Sequence, residues 1–159
     1  MDFNMAKVLS GAQASVGAIT TVDTVQKNPL GSRAFDEFNN EYIYLAGVAS
    51  QVAGDWVTYT TAFVAVRLVA DAAGPVAIAN AAVLAANWGW DQIYGFNTIA
   101  LSDSVAAAGG LWIDNTTGKV DDASVAGDFV YGAWSTGAST AGVLPVFVRY
   151  PYVGNTAPA

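Results

Sequence analysis

A chain of 159 residues is enough for one domain of ordinary size. Hydrophobic residues make up 53% and charged residues only 12%, against about 25% in a typical soluble domain. That composition excludes a disordered chain and leaves apolar surface for a neighbour to cover. The formal net charge of −7, with six cations scattered from Lys7 to Arg149, excludes nucleic acid as a partner.

Cysteine and histidine are both absent. This removes disulfides, thiolate nucleophiles, the Ser-His-Asp template and the commonest metal ligand. No apolar run reaches the roughly 18 residues of a spanning helix, so no membrane partner is expected. The first residues lack the basic-then-apolar order of a secretory signal.

Residues 1–28 have small side chains and no lasting period, and read as an extended N-terminal arm, either loose or draped over a neighbouring subunit. Asn28-Pro29-Leu30-Gly31 is a turn signal. The stretch 33–41 reads as a polar turn between two apolar segments. Strands are then expected over 41–45, 55–59 and 63–69, with another opening at Val76 after the Gly74-Pro75 punctuation. The first lacks strict polar alternation, which points to cover on both faces.

The alanine-rich stretch 80–87, with Asn80 able to cap it and Gly89 able to stop it, predicts the one short helix. Further strands follow at 90–95, 111–114, 119–121, 129–134 and 143–150, the last with Pro145 forcing an edge position or a bulge. Asn115-Thr116-Thr117-Gly118 is a turn. The expected fold is mainly β: a single-domain β-sandwich or small β-barrel over 29–153, with at most one short helix, the arm 1–28 and a flexible tail 154–159.

Val52-Ala53-Gly54-Asp55-Trp56-Val57 recurs as Val125-Ala126-Gly127-Asp128-Phe129-Val130. A turn solution used twice explains the echo better than a half-barrel duplication or a calcium site, because one carboxylate per turn is far short of an ion's oxygen shell. Glu37 and Glu41 are the only glutamates, and as a pair would be the sole candidates for glycoside hydrolysis. A solvated turn is the simpler reading. No phosphate loop, nucleophile elbow or dinucleotide fingerprint occurs, so no residue is assigned to catalysis, cofactor or metal.

Aromatic residues are in excess, with five Trp, seven Tyr and seven Phe. Trp88, Trp90, Tyr94 and Phe96 cluster closely in sequence. They suit a core, an intersubunit anchor or a sugar platform. The candidate interface residues are Trp88, Trp90, Tyr94, Trp112, Phe147, Tyr150 and Tyr152.

Several phrases resemble the head decoration, or cement, proteins of tailed bacteriophages. They are Leu30-Gly31-Ser32-Arg33-Ala34-Phe35-Asp36-Glu37, Glu41-Tyr42-Ile43-Tyr44-Leu45-Ala46-Gly47-Val48-Ala49-Ser50 and Ala53-Gly54-Asp55-Trp56-Val57-Thr58-Tyr59. Trp88-Gly89-Trp90-Asp91-Gln92-Ile93-Tyr94-Gly95, Gly127-Asp128-Phe129-Val130-Tyr131-Gly132 and Phe147-Val148-Arg149-Tyr150-Pro151-Tyr152-Val153 continue the likeness. The resemblance implies a non-catalytic β-protein on the outer surface of the virion capsid. It would bind the major capsid protein lattice, self-associate as a homotrimer and stabilise the head. The alternatives are another minor virion component, a carbohydrate-binding β-module on a virion or secreted protein, and a carboxylate-pair hydrolase.

Overall fold

The computed structural model describes residues 18–154. Ten strands form one antiparallel sheet that does not close: β1 (Arg33–Phe35), β2 (Glu41–Ala46), β3 (Trp56–Tyr59), β4 (Ala65–Arg67), β5 (Gly74–Ala79), β6 (Trp88–Leu101), β7 (Gly109–Ile113), β8 (Val120–Asp121), β9 (Phe129–Ser135) and β10 (Val143–Val153). The strand order is β1-β2-β6-β5-β10-β9-β7-β8, with β3 added on β5 and β4 on β3. The mainly β fold expected from the sequence is the fold observed.

A fork organises the sheet. The first half of β6 pairs with β2, from Trp88 opposite Ala46 to Gln92 opposite Tyr42. Its second half pairs with β10, from Tyr94 opposite Arg149 to Leu101 opposite Val143. Between the diverging strands sits β5, bonded to β6 at Ile78 and Ala79 and to β10 at Gly74 and Pro75.

The fork explains why several strands are apolar on both sides. Val76 and Ile78 of β5 join Trp56, Leu111, Val130, Leu144, Val146 and Val148 in the largest core cluster. Ala77, one residue out of step, joins Ile43, Leu45, Val57 and Ile93 in a second. Along β2 the alternate residues Tyr42 and Tyr44 pack with Ala34 and Trp90 in a third. Strands covered on both faces read as unbroken apolar runs, as 41–45 does.

Three expectations are corrected or refined. Residues 80–87 form no helix. Two of their carbonyls accept from outside the stretch, Val83 O from Val48 N and Asn87 O from Gly47 N, and the Asn80 side chain donates from Nδ2 to Trp90 O. Alanine propensity over two turns is worth too little to compete with such tertiary bonds. The polar turn at 33–41 contains β1, which pairs with β2 around a loop whose Asp36 Oδ1 accepts from Phe38 N and Asn40 N. Pro145 does not mark an edge, because β10 is paired on both sides; the ladder to β6 is bulged there, between Leu144 and Val146.

The described part of the arm lies along this end of the sheet. Asp23 and Trp88 exchange backbone hydrogen bonds of 2.8 and 2.9 Å, and Tyr44 Oη donates to Asp23 Oδ2 at 2.7 Å. Residues 1–17 of the arm and 155–159 of the tail lie outside the described residues.

Candidate functional site

The four neighbouring strands β6, β10, β9 and β7 present one face to the largest core and the other to solvent. Alternation sets this. On β10 Leu144, Val146 and Val148 point inward, so Phe147 and Arg149 point out. On β9 Val130 and Ala133 are buried, and on β7 Leu111 and Ile113. Many of the outward positions are aromatic.

The rings make two clusters on this face. Phe147 is central to the first, with centroids 4.8 Å from Phe96, 4.9 Å from Trp134 and 5.6 Å from Tyr94, while Tyr150 lies 5.5 Å from Tyr94. Phe96, Phe147 and Trp134 stand directly opposite one another on β6, β10 and β9. In the second cluster Trp112 meets Phe129 at 5.1 Å, Phe129 meets Tyr131 at 4.8 Å and Tyr131 stacks on Tyr152 at 4.8 Å. Four of the rings stay largely in water, Phe96 at 64% exposed, Tyr150 at 54%, Tyr152 at 51% and Trp134 at 42%, while Tyr94, Trp112, Phe129, Tyr131 and Phe147 are half-buried among them.

A second irregularity shapes the face. Between Val148 and Tyr152 the register of β10 against β9 shifts. Gly132 takes φ +72° opposite the shift, and a Cβ there would stand 2.6 Å from Arg149 O. Tyr150, at φ +47°, is turned toward β2, where its hydroxyl donates to Glu41 Oε2 at 2.6 Å. That hydrogen bond, followed by burial, raises the pKa of the phenol. Glu41 is buried and also accepts from Arg33 at 2.8 Å, so its charge is compensated on both oxygens.

Of the seven candidate interface residues, Tyr94, Trp112, Phe147, Tyr150 and Tyr152 lie on this face. Trp90 does not: it is 1% exposed, tilted against Tyr44 at 5.0 Å in the third core cluster. Trp88, half-buried, packs against that same cluster. Phe96, Phe129, Tyr131 and Trp134 belong to the face and were not among the seven. Phe129 and Tyr131 were readable from strand alternation; Trp134 falls out of that parity because of the irregularity at Gly132.

The carboxylates are occupied or isolated. Asp55 forms a two-pronged ion pair with Arg67, at 2.7 and 3.1 Å, and accepts from Val52 N. Asp128 accepts from Asp71 N. Both repeated turns share their geometry, with Gly54 and Gly127 at φ +87° and +89° and the following Asp N bonded to Val O three residues back. Glu37 is exposed in the β1–β2 loop, whereas Glu41 is held as described. Among the described residues no three acidic side chains gather as a metal site. No helix among them is long and apolar enough to cross a membrane. No protein-family model, curated protein or solved structure matches the chain.

Proposed function

We propose that this protein is a non-catalytic structural component of a virion, which binds the outer surface of the major capsid protein lattice through its aromatic face and stabilises the head. The observation that carries the reading is the exposed aromatic sheet face of β6, β10, β9 and β7, backed by the largest core. Arg149 is the one charged residue on β7, β9, β10 and the part of β6 paired with β10. Aromatics and arginine with few other charges are the composition of a buried protein–protein interface. A rigid sheet also presents its anchors without a large ordering cost on binding.

The rings themselves argue against a sugar platform on this face. They form no coplanar strip: Phe96–Phe147, Tyr94–Phe147, Trp112–Phe129 and Phe129–Tyr131 meet at 68–79°, and Tyr131 and Tyr152, near parallel at 11°, stack on each other. Assembly as a homotrimer, at the outer surface of the shell, is carried into this reading from the family resemblance. It is tested by the mass of the protein in solution and on the shell.

The test is cosedimentation with shells lacking this protein. Saturable, stoichiometric binding is expected for the natural chain. Trp134→Glu combined with Tyr152→Glu places two charges on exposed positions of the face and should abolish binding while thermal unfolding stays cooperative. A folded natural chain that ignores the shell, or a double variant that binds as well as its parent, overturns the proposal.

A further inference from the structure

A cleft of about 360 Å³ opens between the β1–β2 loop, the end of β5 and the bulged part of β6. It is lined by carboxamides, those of Asn40, Asn80, Gln92 and Asn97, with Phe38 and Phe96 beside them. Asn80, Gln92 and Asn97 are each at least nine-tenths buried, at 6%, 2% and 5% exposure. Buried amides in such numbers require an account, because each costs desolvation energy unless it is bonded.

Each amide is fixed by part of its bonding capacity. Gln92 Nε2 donates to Tyr94 O and Phe96 O, and Gln92 Oε1 accepts from Asn97 Nδ2 at 2.9 Å. Asn97 Oδ1 accepts from Ile99 N. Asn40 Oδ1 accepts from Phe96 N, and its carboxamide lies where Gly95, at φ +104°, has no Cβ. Asn80 donates from Nδ2 to Trp90 O, and among the described residues its Oδ1 has no donor. An amide has two donor hydrogens and two acceptor lone pairs, so Asn40, Asn80 and Asn97 keep unused positions in fixed orientations. That is the pre-organisation a polar binding site needs.

The charge of the cleft selects its ligand. No Lys or Arg lines it, which disfavours phosphates and acidic sugars. Asp36, its one carboxylate, already accepts from Phe38 N, Asn40 N, Asn40 Nδ2 and Tyr42 Oη, filling about the four positions two oxygens offer. A cation therefore finds no free carboxylate oxygen there. Phe38, 76% exposed, and Phe96, 64% exposed, supply apolar ring surface beside the amides. Fixed amides beside aromatic rings, with no cation and with the one carboxylate already hydrogen-bonded, suit a molecule with hydroxyls at its edges and C–H groups on its faces. We propose that this cleft binds a neutral saccharide of one or two pyranose rings. Its volume lies near the lower end of the roughly 300–1,000 Å³ usual for small-molecule sites.

The site is independent of shell docking, sharing only Phe96 with the aromatic face. Isotope-labelled protein titrated with D-glucose, D-galactose, D-mannose and N-acetyl-D-glucosamine, and a disaccharide of each, tests it by nuclear magnetic resonance. Saturable shifts are expected for at least one of them in the side-chain amides of Asn40, Asn80 and Asn97. Phe38→Ala, an exposed substitution away from the aromatic face, should weaken that binding about tenfold, the loss expected for one stacking contact, and leave shell cosedimentation unchanged. Absence of saturable shifts with every sugar overturns the proposal. So do shifts confined to Trp112, Tyr131 and Tyr152, or binding that Phe38→Ala does not weaken.

Discussion

Asp91 stands inside the sheet, 1% exposed, between Ile43 of β2 and Ala79 of β5, and neither carboxylate oxygen has a hydrogen-bond partner among the described residues. Burial first, and the negative charge of Asp55 second, raise its pKa from 3.8 to about 7. The folded chain therefore holds a proton that the unfolded chain releases above about pH 4. Stability from this group is fully present below the unfolded value, declines as the pH climbs to about 7, and is level beyond it. A displacement of that size corresponds to a loss on the order of 4 kcal/mol. Asp91→Asn removes the titration at nearly constant shape, so its stability relative to the natural chain should rise between about pH 4 and pH 7 and level off above that. Urea unfolding across that range checks this, and parallel pH profiles for the two proteins would disprove it. The opposite case is Asp55, fully buried but paired with Arg67, whose Nη2 also donates to Thr117 O. Arg67→Met leaves that carboxylate without its partner and should cost about 3–5 kcal/mol by urea denaturation at neutral pH. A cost below about 1 kcal/mol would mean the pair behaves like an exposed one.

Elements differ in how far they could be read, and the reason is whether their partners lie nearby in sequence. β2, β3, β5, β7, β9 and β10 were legible because apolar and aromatic runs bounded by glycine and proline report burial directly. The double-sided cover of β2 was legible too, in its missing alternation. β1 was not, since three residues beside an Asp36 turn carry no period, and their strand character comes from pairing with β2. The stretch 80–87 misled in the other direction, because its local helix preference is overridden by bonds to Val48, Gly47 and Trp90. The aromatic face was legible in part. Sequence named residues on β6, β7 and β10, Tyr150 among them, but the irregularity that brings Trp134 into line with the others has no periodic signature. Gly132 is its sequence trace. With φ at +72° and Arg149 O in the way, Gly132→Ala should destabilise the protein by about 1–3 kcal/mol and reduce shell binding by tilting β9 against β10. Thermal unfolding and cosedimentation measured together check both parts. Unchanged stability would show that the β9–β10 register relaxes freely.

At the scale of the whole molecule, acidity and apolar surface are kept apart. The net charge of −7 is distributed over a chain whose aromatic face holds a single cation. Under the proposed function, like charge on neighbouring copies would oppose crowding on a shell, while burial of the aromatic face would favour docking. Salt separates the two contributions. At about 1 M ionic strength the screening length falls to about 3 Å, which suppresses repulsion between exposed acids and leaves apolar burial intact. Shell occupancy at fixed protein concentration should therefore hold or rise as sodium chloride is increased. An interface built on ion pairs would instead release the protein, with the loss appearing chiefly as slower association. Binding to immobilised shells, followed by surface plasmon resonance at low and high salt, reads both outcomes. Retention at high salt, combined with loss in the Trp134→Glu/Tyr152→Glu variant, is what docking through the aromatic face requires. Salt-driven release of the natural chain would move the interface to a charged part of the surface and remove the aromatic face from the mechanism.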